Sequence, residues 1–409
     1  MSSTTLSGDA IAAMLEPIVE SRVLAGAATL VWRDGRVVAT ASVGRRDLQT
    51  GLPVERDTIF RIASLTKPVT TVAALMLLDE GRFALDDPID WYAPEFSQMR
   101  VLRDVNGPLD ETDAAARSIT FNDLLTHRAG LTYSEFHRGP IGAAYAAALG
   151  ATIDNDLSPG DWIARLATLP LIDQPGAGFH YGHSTDLLGF LIARMEDAPL
   201  GDVLARRIFG PLGMDDTGFT VPAEKWTRRA GLCGFDDEGH PVPLNKAPGG
   251  QALADRPGGM TFESGGQGLW STLDDYLAFA RIFVGRGEVE GIRILRPETL
   301  AMMASNQLTA AQRATARMLG SRLFAIGHGY GMGVAVVMEP AQADPLRCGG
   351  GVGAVGWPGA YGSWWQADPN DGSVLIFLSH NMVELAQMAK GIGLDVWSAI
   401  VTFQKLASG

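Results

Sequence analysis

The sequence has few cysteines and no excess of positive charge. Cys233 and Cys348 are the only cysteines in 409 residues, and neither belongs to a CxxC pair. Two cysteines cannot form a disulfide framework for a chain of this length, so we predict two free thiols, with a single bridge as the alternative. Lys and Arg number 33 against 46 Asp and Glu, a net charge of −13. Nucleic acids and anionic membranes attract clusters of basic residues, so we expect neither as a partner.

The sequence also lacks a long hydrophobic run. Its N-terminus has no basic stretch followed by an apolar segment, and no later segment reaches the length of a membrane span. We therefore expect no secretory signal and a cytoplasmic location. The hydrophobic fraction of 46% and the charged fraction of 19% are typical of a globular protein. A chain of this length can form two domains or one large one.

Two common functional motifs are missing. There is no GxxxxGK[ST] phosphate-binding loop. The GxSxG motif of the α/β-hydrolases is also absent, because Gly182-His183-Ser184 continues to Asp186 where a glycine is required.

His180 and His183 have no third ligand at a suitable spacing, which argues against a metal site. We expect neither a metal nor an organic cofactor.

Strand patterns lie near both ends of the sequence, with helical patterns between them. Asp34-Gly35 separates the first two strand patterns and predicts a hairpin turn. The predicted strands cover residues 27–32, 37–43, 330–337, 361–366 and 374–379. The predicted helices cover residues 9–21, 64–81, 121–125, 159–168, 185–196, 200–208, 273–284 and 383–405.

This order predicts an α+β fold, in which one antiparallel sheet is assembled from both termini and flanked by helices. A mainly helical domain is inserted between the two parts of the sheet. We place the sheet domain at residues 1–63 plus 326–409 and the helical domain at 64–325. The cleft between them is the expected place for an active site.

Ser64 and Lys67 lie three positions apart, a spacing that puts both side chains on one face of a helix. Pro68 is tolerated only in the first turn of a helix, so we predict a helix that begins near Ser64 and continues through the apolar stretch 72–78. The backbone N–H of Ser64 would then be free to bind an oxyanion. A serine nucleophile with a lysine to take its proton indicates acyl-transfer chemistry.

An SxxK sequence also arises by chance, as a helix-capping serine beside a surface lysine. Lys67 leads directly into an apolar helix that must be buried. Burial disfavours the charged form of an amine, and this favours the interpretation of Lys67 as a base.

Tyr181 follows a turn rich in Gly and Pro at residues 174–178 and precedes an apolar helix. A tyrosine close to a lysine ammonium loses its proton more readily and can act as a general base or acid. The alternative is a half-buried aromatic residue with a satisfied hydroxyl. For His127 we predict a structural hydrogen bond.

Small residues surround Trp357 in the segment 356–362. Small residues just before a strand allow its backbone to approach a ligand closely, and the Ala360 N–H could supply a second oxyanion donor. The alternative is a bulged strand with an aromatic filler.

Together these motifs resemble the serine β-lactamase and penicillin-binding-protein superfamily, particularly its class C-like branch and the family VIII carboxylesterases. The likeness extends over nearly the whole chain. It covers residues 60–68, 85–88, 119–131, 179–189, 210–214 and 265–275, and the strand after Trp357.

The resemblance implies a role for each matching residue. Ser64 corresponds to the nucleophile that accepts the acyl group, Lys67 to its activating amine and Tyr181 to the tyrosine that relays protons to and from the leaving group. The amides of Ser64 and Ala360 correspond to the oxyanion hole. His183, Trp357 and Gly359 correspond to substrate-binding positions.

Two motifs depart from the family pattern. Residues 181–183 read Tyr-Gly-His in place of Tyr-x-Asn, and residues 357–359 read Trp-Pro-Gly in place of Lys-Thr-Gly. The lost lysine would have helped to hold the carboxylate of β-lactams and peptide termini. An indole offers apolar surface and one N–H without a positive charge. The change favours neutral esters, as in the esterase branch, where a Trp-x-Gly version occurs.

The sequence thus predicts a serine carboxylesterase that hydrolyses short-chain esters through an acyl-enzyme at Ser64. Weak β-lactam hydrolysis or removal of an acetyl ester from a cephalosporin would be side activities. The alternatives are a β-lactamase or D-amino-acid peptidase, an acyltransferase, and an inactive binding protein on the same fold. We expect a small-molecule ester as the partner and a monomer or small homo-oligomer.

Overall fold

A seven-stranded antiparallel sheet forms the centre of the computed structural model, which describes residues 6–247, 251–318, 321–324, 326–383, 385–388 and 390–408. Its strands are β1 (Gly26–Arg33), β2 (Arg36–Gly44), β3 (His328–Tyr330), β4 (Ala335–Val337), β5 (Val355–Gly359), β6 (Ser363–Asp368) and β7 (Ser373–Ser379). They lie in the order β3-β4-β5-β6-β7-β1-β2.

The sheet joins the two ends of the chain, as predicted. Strand β1 pairs with β7 in the register Ala27 opposite Ser379, so the first strand of the sequence lies beside the last. Its other neighbour is β2, across a hairpin turn in which Asp34 and Gly35 both have a positive φ, 52° and 75°. Two positive φ angles match the twist of a tight hairpin. The antiparallel architecture is therefore confirmed, whereas the proposed domain boundaries remain a prediction.

The C-terminal strands differ from the predicted ones in two places. Residues 330–337 contain the last residue of β3 and the whole of β4 and do not form one strand, because the chain turns at residues 331–334, where Gly333 has a φ of 73°. The segment 356–359 lies within β5 and not before a strand. Residues 360–362, which include Ala360, follow the end of β5 in the turn that leads to β6.

Thirteen α-helices lie within the described parts of the chain. They are α1 (Gly8–Glu20), α2 (Thr66–Asp79), α3 (Phe121–Leu125), α4 (Pro140–Leu149), α5 (Pro159–Leu166), α6 (Ser184–Glu196), α7 (Leu200–Leu204), α8 (Gly210–Leu212), α9 (Leu273–Val284), α10 (Pro297–Met303), α11 (Ala310–Thr315), α12 (Leu385–Met388) and α13 (Leu394–Ser408). The helix predicted at 200–208 is α7 followed by a π-helical turn, Ala205–Phe209.

The sheet separates two apolar layers. Alternate residues of a strand face opposite sides of a sheet. Thus Trp364 and Phe377 belong to the core that contains Val396 and Phe403 of α13, and α1 packs on the same side. Trp365 and its neighbours belong to the larger core that includes α2 and α9. The helix predicted at 383–405 consists of α12 and α13, and residues 384 and 389 within that range lie outside the described residues.

Five short strand pairs lie outside the main sheet: Phe60–Arg61 with Trp270–Ser271, Arg100–Leu102 with Thr112–Ala114, Cys233–Phe235 with Pro241–Pro243, Glu288–Val289 with Ile292–Arg293, and Arg317–Met318 with Ser321–Arg322. The first pair leads directly into the segment that carries Ser64. Cys233 and Cys348 are both buried free thiols, as predicted. Across the described ranges, no helix is long and apolar enough to cross a membrane.

Candidate active site

Ser64 lies in a short turn between a strand and a helix. Residues Ala63–Leu65 form one turn of 3₁₀-helix, and Ala63 adopts a left-handed φ of 45°. Helix α2 begins at Thr66, two residues later than predicted, so Pro68 still lies in its first turn. A positive φ at a residue with a Cβ atom is sparsely populated and persists only where the surroundings enforce it.

Three hydrogen bonds hold this turn in place. The N–H of Ile62 donates to the carbonyl of Leu269 at 3.0 Å, and the N–H of Leu269 donates to the Thr66 hydroxyl at 3.2 Å. The buried hydroxyl of Tyr276, from α9, donates to the Leu65 carbonyl at 3.0 Å. Burial raises the pKa of Tyr276 well above its ordinary value, so its proton stays available for this bond.

Lys67 is fully buried and directed toward Ser64. Its Nζ lies 3.4 Å from the Oγ of Ser64, 3.2 Å from the hydroxyl of Tyr133 and 2.9 Å from the carbonyl oxygen of Gly266. The structure thus brings together the serine and the lysine that the sequence spacing singled out.

Tyr181 lies beside the same amine. The centre of its ring is 4.6 Å from Lys67 Nζ, and its hydroxyl accepts a hydrogen bond from the indole N–H of Trp357 at 3.0 Å. Trp357 is 2% exposed and Tyr181 7% exposed. The three side chains Ser64, Lys67 and Tyr181 therefore surround one site, with Trp357 behind the tyrosine.

Tyr133 is a functional candidate that the sequence interpretation missed. It is buried, its hydroxyl is bonded to Lys67, and its ring lies 5.8 Å from that of Tyr181. Burial, with the negative charge of Asp186, raises the pKa of Tyr133 well above its ordinary value. A hydrogen bond from Gln267 acts in the opposite direction and lowers this pKa, but its effect is smaller. Tyr133 is therefore a neutral phenol. It lies two residues beyond the family-like stretch 119–131, and no local motif marks it.

Asp186 connects the predicted His183 to the lysine. Its carboxylate accepts from Ser264 Oγ at 2.6 Å and the Gly266 N–H at 2.9 Å, and bonds His183 Nδ1 at 2.9 Å. Burial alone would raise the pKa of Asp186, but the hydrogen bond from His183 and the charges of His183 and Lys67 hold it below its ordinary value. The His-x-x-Asp spacing at the start of α6 could have revealed this pair.

His183 itself is almost fully enclosed. It is 2% exposed, and its ring packs edge-on against Tyr133 at 4.5 Å. The structure places it behind Tyr133, where it supports the residues around Lys67. This placement suits the positioning of Tyr133 and Asp186 better than direct contact with a substrate.

Two backbone N–H groups are available to act as an oxyanion hole. Within the described residues, neither the N–H of Ser64 nor that of Ala360 has a hydrogen-bond acceptor. Gly359 allows the two segments to meet, because a Cβ atom there would lie 2.7 Å from the Ile62 carbonyl oxygen and 2.9 Å from Leu65 Cδ1. Only glycine lets β5 approach the Ser64 turn this closely.

An aromatic wall borders the site. We use this name for the buried or half-buried residues Tyr133, Phe136, Phe179, Tyr181, Tyr330 and Trp357. His127 lies beneath it, 4.9 Å from the ring of Tyr181, and its Nε2 is 3.4 Å from Thr185 Oγ1, consistent with a structural hydrogen bond. Burial, with the charge of Lys67, lowers the pKa of His127 well below its ordinary value, so the imidazole is neutral.

His180, the histidine that precedes Tyr181, is bonded to Asp173 at 2.9 Å and so has a different partner from His183. Across the described ranges, no group of three or more His, Cys, Asp or Glu side chains is arranged to hold a metal ion.

Residues 11–395 match the family model described as Beta-lactamase. The chain belongs to the beta-lactamase family. The chain is 42% identical over 374 residues to an uncharacterized protein of Mycobacterium tuberculosis, and the match covers 91% of this chain and 90% of that protein. It is 32% identical over 391 residues to esterase EstB of Burkholderia gladioli, with coverage of 91% and 90%.

A solved structure of lower sequence identity has the same fold. EstCE1, described as a hydrolase with promiscuous acyltransferase activity, superposes with a TM-score of 0.77 at 24% identity. The match covers 97% of each chain. This likeness confirms the fold predicted from the sequence.

Proposed function

We propose that this protein is a serine carboxylesterase that hydrolyses short-chain esters through an acyl-enzyme on Ser64. The observation that carries the proposal is the meeting of the Ser64 hydroxyl, the buried Lys67 amine and the Tyr181 ring at one site. The free N–H groups of Ser64 and Ala360 support it, since an acyl transfer needs donors where negative charge develops. The similarity to esterase EstB supports the same reaction class.

In the proposed reaction, Ser64 Oγ forms a bond to the ester carbonyl carbon while its proton passes to Lys67. The carbonyl oxygen becomes an oxyanion held by the N–H groups of Ser64 and Ala360. When the bond to the alcohol oxygen breaks, that oxygen takes the proton from Lys67 by way of Tyr181, and the alcohol leaves. Water then attacks the acyl carbon, its proton returns to Ser64 through the same pair, and the acid is released.

Trp357 supports an ester over a β-lactam. It occupies the motif position at which the lactamase branch carries a lysine, and its indole N–H is already bonded to Tyr181. An indole in this bond adds apolar surface to the aromatic wall and no positive charge.

Three measurements test the proposal. A fluorophosphonate probe should add to Ser64, as read by mass spectrometry, and Ser64→Ala should lower hydrolysis of p-nitrophenyl butyrate by at least about a thousandfold while the melting temperature is kept. The kcat/KM for nitrocefin should lie well below that for p-nitrophenyl butyrate; the reverse order would make the protein a β-lactamase.

EstCE1 is described with both activities, which makes acyl transfer the second candidate. Product analysis with a competing alcohol separates the two: an esterase forms free acid, whereas an acyltransferase forms new ester faster than acid. An inactive protein that does not react with the probe would reject both.

A further inference from the structure

A small cavity lies beside the segment that leads to Ser64, and three buried polar side chains line it. They are Arg61, Tyr361 and His380, and the volume of the cavity is about 10 Å³. Arg61 is 5% exposed, Tyr361 1% and His380 3%. Among the described residues, no hydrogen-bond partner lies at Nη1 of Arg61, at the hydroxyl of Tyr361 or at either ring nitrogen of His380. Buried polar atoms of proteins are normally hydrogen-bonded, so three such side chains at one cavity point to a bound molecule.

Arg61 is held firmly at this cavity. Its Nη2 donates to Asp154 Oδ2 and to the carbonyl of Leu253, both at 2.7 Å. The centre of its guanidinium lies 4.4 Å from the centre of the Trp270 ring, which also lines the cavity. These contacts fix the guanidinium, so that Nη1 is kept away from bulk water.

Tyr361 and His380 come from neighbouring segments of the same wall. The N–H of Asn381 donates to the carbonyl of Tyr361 at 3.0 Å, which brings the end of β7 to the turn after β5. Burial raises the pKa of Tyr361 to about 12, and the positive charge of Arg61 acts in the opposite direction. The phenol is therefore protonated and close to Arg61. Burial lowers the pKa of His380 to about 4, so its imidazole is neutral and has one N–H and one lone pair.

These donors and acceptors suit a water molecule. A cavity holds one water when it offers roughly 10–15 Å³ and two to four polar partners. Water can accept hydrogen bonds from the N–H of Arg61 and the O–H of Tyr361, and it can donate one to the lone pair of His380. A halide suits the cavity less well, because that lone pair would face it and Asp154 already opposes the charge of Arg61.

We propose that Arg61, Tyr361 and His380 bind one buried water molecule, and that this water helps to hold the oxyanion hole in place. Tyr361 is then a positioning residue, which acts through the water and not on the substrate. The part that concerns the oxyanion hole rests on the proposed esterase function, whereas the water site itself does not.

The water would join the two segments that carry the oxyanion donors. Arg61 lies three residues before Ser64, and Tyr361 directly follows Ala360. Between Arg61 and Ser64, Ala63 has a positive φ of 45°, a conformation that persists only where the surroundings enforce it. Ala63 and Tyr361 also belong to the same buried apolar cluster. A hydrogen-bonded link across the cavity adds to the forces that keep the Ser64 turn against the turn after β5.

A high-resolution crystal structure of the unaltered protein tests the site directly. We expect electron density for one water within hydrogen-bond distance of Arg61 Nη1, the Tyr361 hydroxyl and one ring nitrogen of His380. A crystal soaked in sodium bromide tests the other occupant, because bromide gives an anomalous signal. A bromide peak in the cavity, no density there, or side chains turned toward other partners would overturn the water site.

Tyr361→Phe tests the positioning role, since it removes the hydroxyl and keeps the ring. It should lower kcat for p-nitrophenyl butyrate by about three- to tenfold and leave KM within about twofold. The affinity for phenylboronic acid should fall by a similar factor, because its tetrahedral adduct on Ser64 places an oxygen in the oxyanion hole. The matched control is Tyr92→Phe, which removes a hydroxyl bonded to the Arg82 carbonyl at 2.7 Å and should change neither kcat nor inhibition.

The outcomes separate this inference from the proposed function. Unchanged kcat and unchanged inhibition in a folded Tyr361→Phe variant would overturn the positioning role. The crystal structure decides the water site even if the variant does not fold. An unaltered protein that hydrolyses no ester and does not react with a fluorophosphonate would overturn the esterase function and the role in the oxyanion hole, while the density in the cavity would still decide the water site.

Discussion

The Nζ atom of Lys67 lies 3.2 Å from the hydroxyl of Tyr133, whereas the hydroxyl of Tyr181 is bonded to the indole N–H of Trp357. Two buried tyrosines therefore border the same amine with different hydrogen-bond partners. In the proposed mechanism, Tyr133 accordingly holds Lys67 in position, and Tyr181 exchanges a proton with the substrate.

Tyr181→Phe and Tyr133→Phe should consequently differ in effect. Loss of the proton relay should lower kcat for p-nitrophenyl butyrate by about a hundredfold or more. Loss of the bond between Tyr133 and Lys67 should lower it by about tenfold, because Ser64 and Gly266 still position the amine. Steady-state kinetics of the two folded variants measure this order. Full activity of Tyr181→Phe would remove that residue from the mechanism.

Trp357→Phe should lower kcat by about three- to tenfold, because the indole N–H that orients the Tyr181 hydroxyl is lost while an aromatic ring remains. Trp365→Phe is the matched control. Trp365 faces Trp357 across β5 and β6, is equally buried, and its N–H has no partner among the described residues. Both variants should lose stability in thermal melts, but only the first should lose kcat per folded molecule. Equal kcat losses would contradict the orienting role.

Gly359→Ala should lower activity by at least about tenfold, because the added methyl group would lie 2.7 Å from the Ile62 carbonyl oxygen and push β5 away from Ser64. Gly258→Ala adds the same methyl group where nothing lies within 4 Å, and should be neutral. Rates of p-nitrophenyl butyrate hydrolysis compare them. An active Gly359→Ala variant would show that this close approach does not matter for the reaction.

His380 should make the protein less stable in acid. It is fully enclosed, and burial lowers its pKa to about 4, although Asp47 acts in the opposite direction. Between its ordinary value of about 6.5 and this value, the unfolded chain binds a proton that the folded chain does not, so stability falls as the pH falls. Burial also lowers the pKa values of His127 and His328, so their contributions add.

His380→Phe should therefore reduce the fall in the free energy of unfolding between pH 6.5 and 4, by up to about 1.4 kcal/mol per pH unit. Urea titrations at several pH values measure the slope. An unaltered slope in His380→Phe would mean that His380 does not titrate as the structure indicates.

Local sequence rules predicted the parts of the site that lie close together in the chain. The spacing of Ser64 and Lys67 and the position of Pro68 are properties of a single helical turn, and the structure brings the two side chains to 3.4 Å. The hairpin at Asp34-Gly35 could likewise be predicted from the sequence, because its turn needs two residues that tolerate a positive φ.

The contacts that the sequence could not reveal join residues that lie far apart in the chain. Tyr133 reaches Lys67 from a loop, and Gly266 contacts the same amine with a backbone carbonyl that any residue type could provide. No local spacing encodes these contacts, so they become visible only once the chain is folded.

The pairing of β1 with β7 also affects how the protein folds during its synthesis. Strand β1 leaves the ribosome early with the N–H and C=O groups of one edge unpaired, and its partner β7 is synthesised only near the end of translation. At ordinary elongation rates this interval is on the order of tens of seconds. During that time the nascent hairpin exposes an edge that other chains can join, and its protection depends on chaperones or on partial collapse of the segments that follow.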